Sequence, residues 1–195
     1  FAPAEEMSES VLRTTMETNF FGPVRCTQAA LPYMRKQGFG TVIMISTIAA
    51  ATGLPLESSY CASKSALEAF SESLRLEVNR FGIKIAVIEP GITEGGLSNS
   101  VADPQPPTDS AYGPLTEHTF DFYNAAQDAL ESPDLITTAI NEILTKPQPA
   151  FRHRLGQFGP LIEQVLMAPE PEGTKALLNE LQIGWWYDPA DQVSQ

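Results

Sequence analysis

Residues 41–46, Thr41-Val42-Ile43-Met44-Ile45-Ser46, form a β-branched, apolar run without polar alternation. That is the pattern of a strand buried on both faces of a sheet. A helix is predicted over 58–81, where Leu67, Phe70, Leu74, Val78 and Phe81 recur at spacings of three and four and lay a core stripe along one side. Gly82 supplies the helix stop, and Lys84-Ile85-Ala86-Val87-Ile88 begins a second buried strand. Strand, helix and strand in this order imply a right-handed parallel crossover. The class is therefore α/β, and ligands of such sheets bind beyond the carboxyl ends of the strands. Ser46 and Thr47 stand at that end of the first strand.

Helices flank this unit. Ser8 as N-cap, Glu9 in the positive first turn and Met7 placed to staple onto Leu12 open a helix that Val11, Leu12, Thr15, Met16, Asn19 and Phe20 continue near a 3.6-residue period. Gly22-Pro23 is expected to bend or interrupt it, Pro32 to do so again, and Gly38 and Gly40 to close it. Ser132-Pro133-Asp134 starts another helix with Leu135, Ile136, Ile140, Ile143 and Leu144 inward, and Ala150-Phe151-Arg152 reads as a short last strand. From 157 onward two amphipathic helices carry Leu161, Ile162, Val165 and Leu166, then Leu177, Leu178 and Leu181, split by Pro169 and Pro171. Trp185-Trp186-Tyr187 is expected to pack on the core, and residues 188–195 to be a disordered tail.

A chain of 195 residues, 43% apolar, has enough material for a packed core. Its net charge of −12, with no basic stripe, argues against nucleic acid and anionic membrane as partners. Cys26 and Cys61 have neither disulfide nor metal spacing and fit a reducing compartment. No signal peptide opens the sequence and no long uninterrupted apolar run occurs, so the expectation is a cytoplasmic protein. His118 and His153 invite a Ser-His-Asp reading, yet there is no Gly-x-Ser-x-Gly elbow and no evident acid partner. No His/Cys/Asp cluster has ligand spacing, so no metal is expected.

Tyr60 and Lys64 stand four apart and share one helix face about a turn from each other. A phenol titrates near pH ~10, so a tyrosine acting as a base near neutrality needs roughly three units of depression, about 4 kcal/mol. A neighbouring ammonium supplies part of that by favouring the ionised form. The same pair also occurs as a packed tyrosine beside a solvated lysine, so spacing alone does not decide.

The ordered motifs around the pair do more. Gly40-Thr41-Val42-Ile43-Met44-Ile45-Ser46, Gly53-Leu54-Pro55, Tyr60-Cys61-Ala62-Ser63-Lys64 and Ile88-Glu89-Pro90-Gly91 resemble the second half of a short-chain dehydrogenase/reductase, specifically over residues 8–95 and more loosely to 158. The resemblance implies a Rossmann-like doubly wound parallel sheet, incomplete, with about three strands present and flanking helices. It implies catalytic roles for Tyr60, Lys64, Thr47 and Asn19, with Thr47 and Tyr60 also meeting substrate. Tyr60, Lys64, Pro90, Gly91 and Thr93 would contact an NAD or NADP cofactor. Asn19 would hold a water for proton relay; by itself it reads equally as an asparagine filling a polar notch at a kink.

Two positions depart from the family pattern. Its serine, thirteen residues before the tyrosine, is Thr47 here, and Ser46 is one residue early. A one-residue slip on a strand points to the other face, so Thr47 is preferred with Ser46 in reserve. The threonine expected five residues after Pro90 is Gly95, leaving Thr93 as substitute, while Glu94 would repel a pyrophosphate. The family's Gly-rich phosphate turn and its Asn-Asn-Ala-Gly segment occur nowhere in the sequence. The expectation is that Phe1 follows directly on that segment and that nearly the whole nucleotide-binding half lies outside this chain.

The organisation read from this is a partial Rossmann-like catalytic region over 1–158, a substrate lid over about 96–130, a helical extension over 159–187 and the tail. The resemblance makes Leu115, Phe120, Phe122 and Tyr123 part of the lid's helix, which would exclude water from hydride transfer; by itself the segment reads equally as a plain surface loop. The implied function is an NAD(P)-dependent oxidoreductase interconverting a secondary alcohol and a ketone, acting on a small molecule as a homo-oligomer. The alternative is a non-catalytic fragment or interaction subunit without the cofactor-binding half.

Overall fold

A computed structural model describes residues 1–94, 109–125, 130–169 and 172–187. Three strands, β1 (Gly40–Ile45), β2 (Ile83–Glu89) and β3 (Arg152–Arg154), lie parallel in the order β1-β2-β3. The helix α3 (Ser58–Val78), extended by a 3-10 turn at Asn79–Phe81, makes the crossover from β1 to β2. Side chains alternate along β2 and so reach both layers. Ile83 and Ile85 join Leu74 and Val78 of α3, and Val87 joins Leu67. Ala86 and Ile88 face the other way, against Ala139 and Ile143 of α5 (Asp134–Thr145). Helices on both faces of a parallel sheet make this the expected Rossmann-like α/β fold.

The chain returns from α3 to β2 through Gly82, whose φ of 71° is left-handed. A Cβ there would lie 2.3 Å from the Gly38 carbonyl oxygen, so both backbone and space require glycine.

β2 is buried on both faces, but β1 is not, as its sequence led one to expect. Most of β1 is half-buried and Ile45 is 40% exposed. Among the described residues only β2 pairs with β1, so its second edge carries no strand. The N-terminal helix breaks where Gly22-Pro23 predicted, with α1 (Glu9–Met16) passing through a π turn at Glu17–Phe21 into α2 (Gly22–Gln37). Pro23 has no N–H to give, and the Gly22 N–H reaches back five residues to the Glu17 carbonyl. Pro32, by contrast, does not interrupt α2. It sits on the exposed side, where water can satisfy the carbonyl it leaves unbonded.

Several inward assignments are corrected in the same way. No residue of α1 is buried, and Val11 and Leu12 are exposed. Leu135 and Leu144 of α5 face out, since only the stripe through Ala139 and Ile143 meets the sheet. β3 starts at Arg152, two residues later than expected, although the Phe151 carbonyl already accepts from the Val87 N–H at 2.7 Å.

The helix α4 (Gly113–Ala125) and the C-terminal helices α6 (Gly159–Met167), α7 (Glu172–Glu180) and α8 (Gly184–Tyr187) cover the carboxyl end of the sheet. Leu56, Leu115 and Ile183 form their joint core, with Trp186 packed on it, whereas Tyr187 and Leu166 point outward. No helix among the described residues is long and apolar enough to cross a membrane. Gly95, most of the lid's first part and the expected tail at 188–195 lie outside the described residues.

Candidate active site

β1 continues to pair beyond its last residue. The Ser46 N–H donates to the Ile88 carbonyl at 2.8 Å and the Ile48 N–H to the Pro90 carbonyl at 3.1 Å. These two bonds fix the strand tip, and successive side chains there point to opposite sides. Ser46 also lines the cavity, but its Oγ donates to Glu68 of α3 at 2.5 Å and is thereby engaged. Thr47 Oγ1 accepts from the Ala49 N–H at 3.3 Å, and its side chain opens with Tyr60 onto one cavity, close enough to favour the ionised phenol.

Tyr60 and Lys64 occupy one face of α3. Lys64 Nζ donates to the Ile45 carbonyl at 2.8 Å and lies 5.9 Å from the centre of the Tyr60 ring. Burial pushes the phenol above its ordinary value; the Thr47 hydroxyl opposes this, and the nearby Glu57 carboxylate reinforces it. Depression of the phenol by Lys64 was expected from their spacing, and the net direction here is the reverse. The physical reason is that desolvation dominates at the phenol. Burial also lowers the proton affinity of Lys64, with Glu68 one turn on acting against it.

Asn19 reaches α3 from the π turn. Its Nδ2 donates to Ser63 Oγ at 3.1 Å, and Ser63 donates in turn to the Tyr60 carbonyl at 2.8 Å. It braces the helix behind Tyr60 and is not part of the cavity wall.

Pro90, Gly91 and Thr93 do line the cavity. The turn is tied to the far end of the lid: the Glu131 N–H donates to the Ile92 carbonyl at 3.0 Å and the Glu94 N–H to the Glu131 carbonyl at 3.0 Å, bridging Thr93 to Glu131. A Cβ on Gly91 would stand 3.1 Å from Glu131 Oε2, so this glycine makes room for the carboxylate behind it. Glu131 left no sign in the sequence, because its partners are distant in the chain, Thr93 before the lid and Gln157 26 residues on.

The cavity itself has a volume of about 650 Å³. Thr47, Tyr60 and Lys64 form its floor with the Pro90-Gly91 turn, and Phe120, Phe122, Leu130, Phe158, Leu161 and Leu177 make an apolar upper wall. Two acids, Glu57 and Glu180, also line the cavity, and Glu57 is the one near Tyr60 in the chain. Glu57, 6% exposed, accepts a short hydrogen bond from the Tyr123 hydroxyl of α4. Burial raises its proton affinity and the Tyr123 bond opposes that. Helical spacing of three from Tyr60 could have marked Glu57 in the sequence; the contact with Tyr123, 66 positions on, could not.

His118 bonds the Leu181 carbonyl and stacks on Trp185, and His153 bonds the Ala150 carbonyl, so neither forms a hydrolytic triad. Among the described residues no group of His, Cys, Asp and Glu could hold a metal ion.

The short chain dehydrogenase family profile matches residues 1–106 of this chain. The chain belongs to the short-chain dehydrogenases. It is 37% identical over 147 residues to the uncharacterized oxidoreductase YusZ of Bacillus subtilis, covering 73% of this chain and 52% of that protein. It is 34% identical over 174 residues to a 3-ketodihydrosphingosine reductase of Bacteroides thetaiotaomicron, covering 84% of this chain and 60% of that one. Among solved structures, a short-chain dehydrogenase from Streptomyces avermitilis superposes with a TM-score of 0.73 at 28% identity, over 100% of this chain and 67% of the other. This short-chain dehydrogenase chain thus spans between half and two thirds of the length of these curated relatives.

Proposed function

We propose that the protein is an NAD(P)-dependent oxidoreductase that interconverts a secondary alcohol and a ketone. The observation that carries this is the convergence of Thr47, Tyr60 and Lys64 on one cavity at the carboxyl mouth of a parallel sheet, with Lys64 Nζ 5.9 Å from the centre of the Tyr60 ring. A substrate oxygen placed between the two hydroxyls exchanges its proton with Tyr60 while Thr47 holds it by a hydrogen bond. Lys64 contributes positive charge beside the phenol and the ribose hydroxyls of the cofactor. Asn19, bonded to Ser63, the residue before Lys64, holds this stretch of α3 in place from behind.

The residues present fit the nicotinamide end of such a cofactor. Lys64, Tyr60 and the Pro90-Gly91-Ile92-Thr93 turn open onto one cavity, with the apolar wall opposite. They do not supply a cradle for the pyrophosphate, because the sequence contains no Gly-rich phosphate turn. When bound, the nicotinamide supplies or accepts the hydride. The apolar wall suits a substrate with a substantial hydrocarbon part, and the relative named as a 3-ketodihydrosphingosine reductase is consistent with that class.

The test is nicotinamide-dependent turnover of a panel of apolar ketones and alcohols by the full-length protein and by its Tyr60→Phe variant. Loss of about 10²-fold or more in kcat with the fold intact is expected; undiminished turnover by Tyr60→Phe would falsify the mechanism. A second reading, in which this chain alone is a non-catalytic interaction piece, is favoured by the exposure of Val11, Leu12, Phe21 and Ile45 on the helices and the strand tip. Failure of the 195-residue chain to bind either nicotinamide cofactor would support that reading for the chain.

A further inference from the structure

Glu57 occupies the N-cap position of α3 yet makes no capping bond to the helix. An acidic side chain at a helix start ordinarily turns back onto the first N–H groups. This one turns away, to the Tyr123 hydroxyl on α4, and is buried in the cavity wall three residues before Tyr60. Both line one cavity, where a buried carboxylate favours the protonated form of a neighbouring phenol because little water screens the two. We propose that Glu57 is a positioning residue of the active site: its carboxylate, held on Tyr123, keeps the Tyr60 proton in place and sets the pH at which the site turns from donating to accepting a proton. The inference rests on the oxidoreductase reading for its consequence in turnover, but the electrostatic claim stands on its own.

The groups that face this pair come from three elements. On α3 they are Tyr60, Cys61 and Lys64; from α4 comes Tyr123, and from the tip of β1 the Thr47 hydroxyl. Glu57 also acts on Cys61, whose thiol is pushed up chiefly by burial and further by this carboxylate. Removing the charge at 57 therefore lowers the titration of both neighbours together. Because burial raises both as well, a loosened site would also lower both, and Glu57→Asp, which keeps the charge, separates the two causes. The direction also states which chemistry the resting site favours: a protonated Tyr60 is ready to act as the acid in carbonyl reduction.

The experiment compares the full-length protein with Glu57→Gln, and with Glu57→Asn, which is a strong N-cap residue and so protects against failure to fold. Tyrosinate absorbance is titrated in each background with and without Tyr60→Phe, so that the difference reports Tyr60 alone. The Tyr60 titration is expected to fall by at least about half a pH unit in both neutral variants, and the alkaline limb of the pH profile for ketone reduction to move down with it. The pH dependence of Cys61 alkylation should shift in the same direction. An unchanged Tyr60 titration in a folded neutral variant overturns the proposal. If the wild-type protein shows no nicotinamide-dependent turnover but the titration shifts, the electrostatic role stands and the oxidoreductase reading fails.

Discussion

Thr47 differs from the serine of the family pattern by one methyl group, and the structure shows what that methyl leaves intact. The hydroxyl still shares the cavity with Tyr60, while its own orientation is fixed by the bond from the Ala49 N–H. A β-branched residue in extended backbone has restricted χ1 freedom, so the hydroxyl is held in one direction. Thr47→Ser should therefore retain kcat/KM within about tenfold, whereas Thr47→Val, which keeps the shape and removes the donor, should lose about 10²-fold or more. Steady-state kinetics on one ketone distinguish the two. Ser46 should not rescue the valine variant, because its Oγ already donates to the buried Glu68 of α3.

Secondary-structure elements carry these residues to their places through a few strict contacts. α3 holds Tyr60 and Lys64, and its registration against the sheet depends on Leu67, Leu74 and Val78, each almost fully buried. At its end Gly82 turns the chain into β2 with its Cα nearly against the Gly38 carbonyl. Gly82→Ala combines a left-handed φ with that overlap and should cost about 2 kcal/mol or more, read as a lower urea midpoint. β3 contributes differently. Arg152 spans Glu68 on α3 and Glu89 at the end of β2, bonding the latter at 2.7 Å, and Arg154 bonds Glu89 at 2.5 Å. Glu89 is fully buried, so these guanidiniums neutralise a charge that could not otherwise be there.

For the molecule as a whole, the cavity is the common product of segments scattered along the chain. The floor comes from β1, α3 and the turn after β2, and the wall from α4, α6 and α7. Leu161 on α6 is a wall residue away from the reacting hydroxyls. Leu161→Trp should narrow the 650 Å³ space, raising KM several-fold for bulky apolar ketones while leaving small ones within about twofold. A parallel loss for both sizes would mean that α6 does not bound the substrate.

The α/β class, the crossover of β1, α3 and β2, and the pairing of Tyr60 with Lys64 were all readable in the linear chain. Each depends on local periodicity or on residues a few positions apart, and such relations survive in a one-dimensional record. The exposure of Val11, Leu135 and Leu144, the covering of the cavity by the C-terminal helices and the meeting of Glu57 with Tyr123 were not readable. Those depend on which surfaces find a neighbour when distant segments fold together. The proton affinity of Tyr60 belongs with them: it is governed by burial and by a carboxylate held in place from α4, and so it exists only once the fold has closed around the phenol.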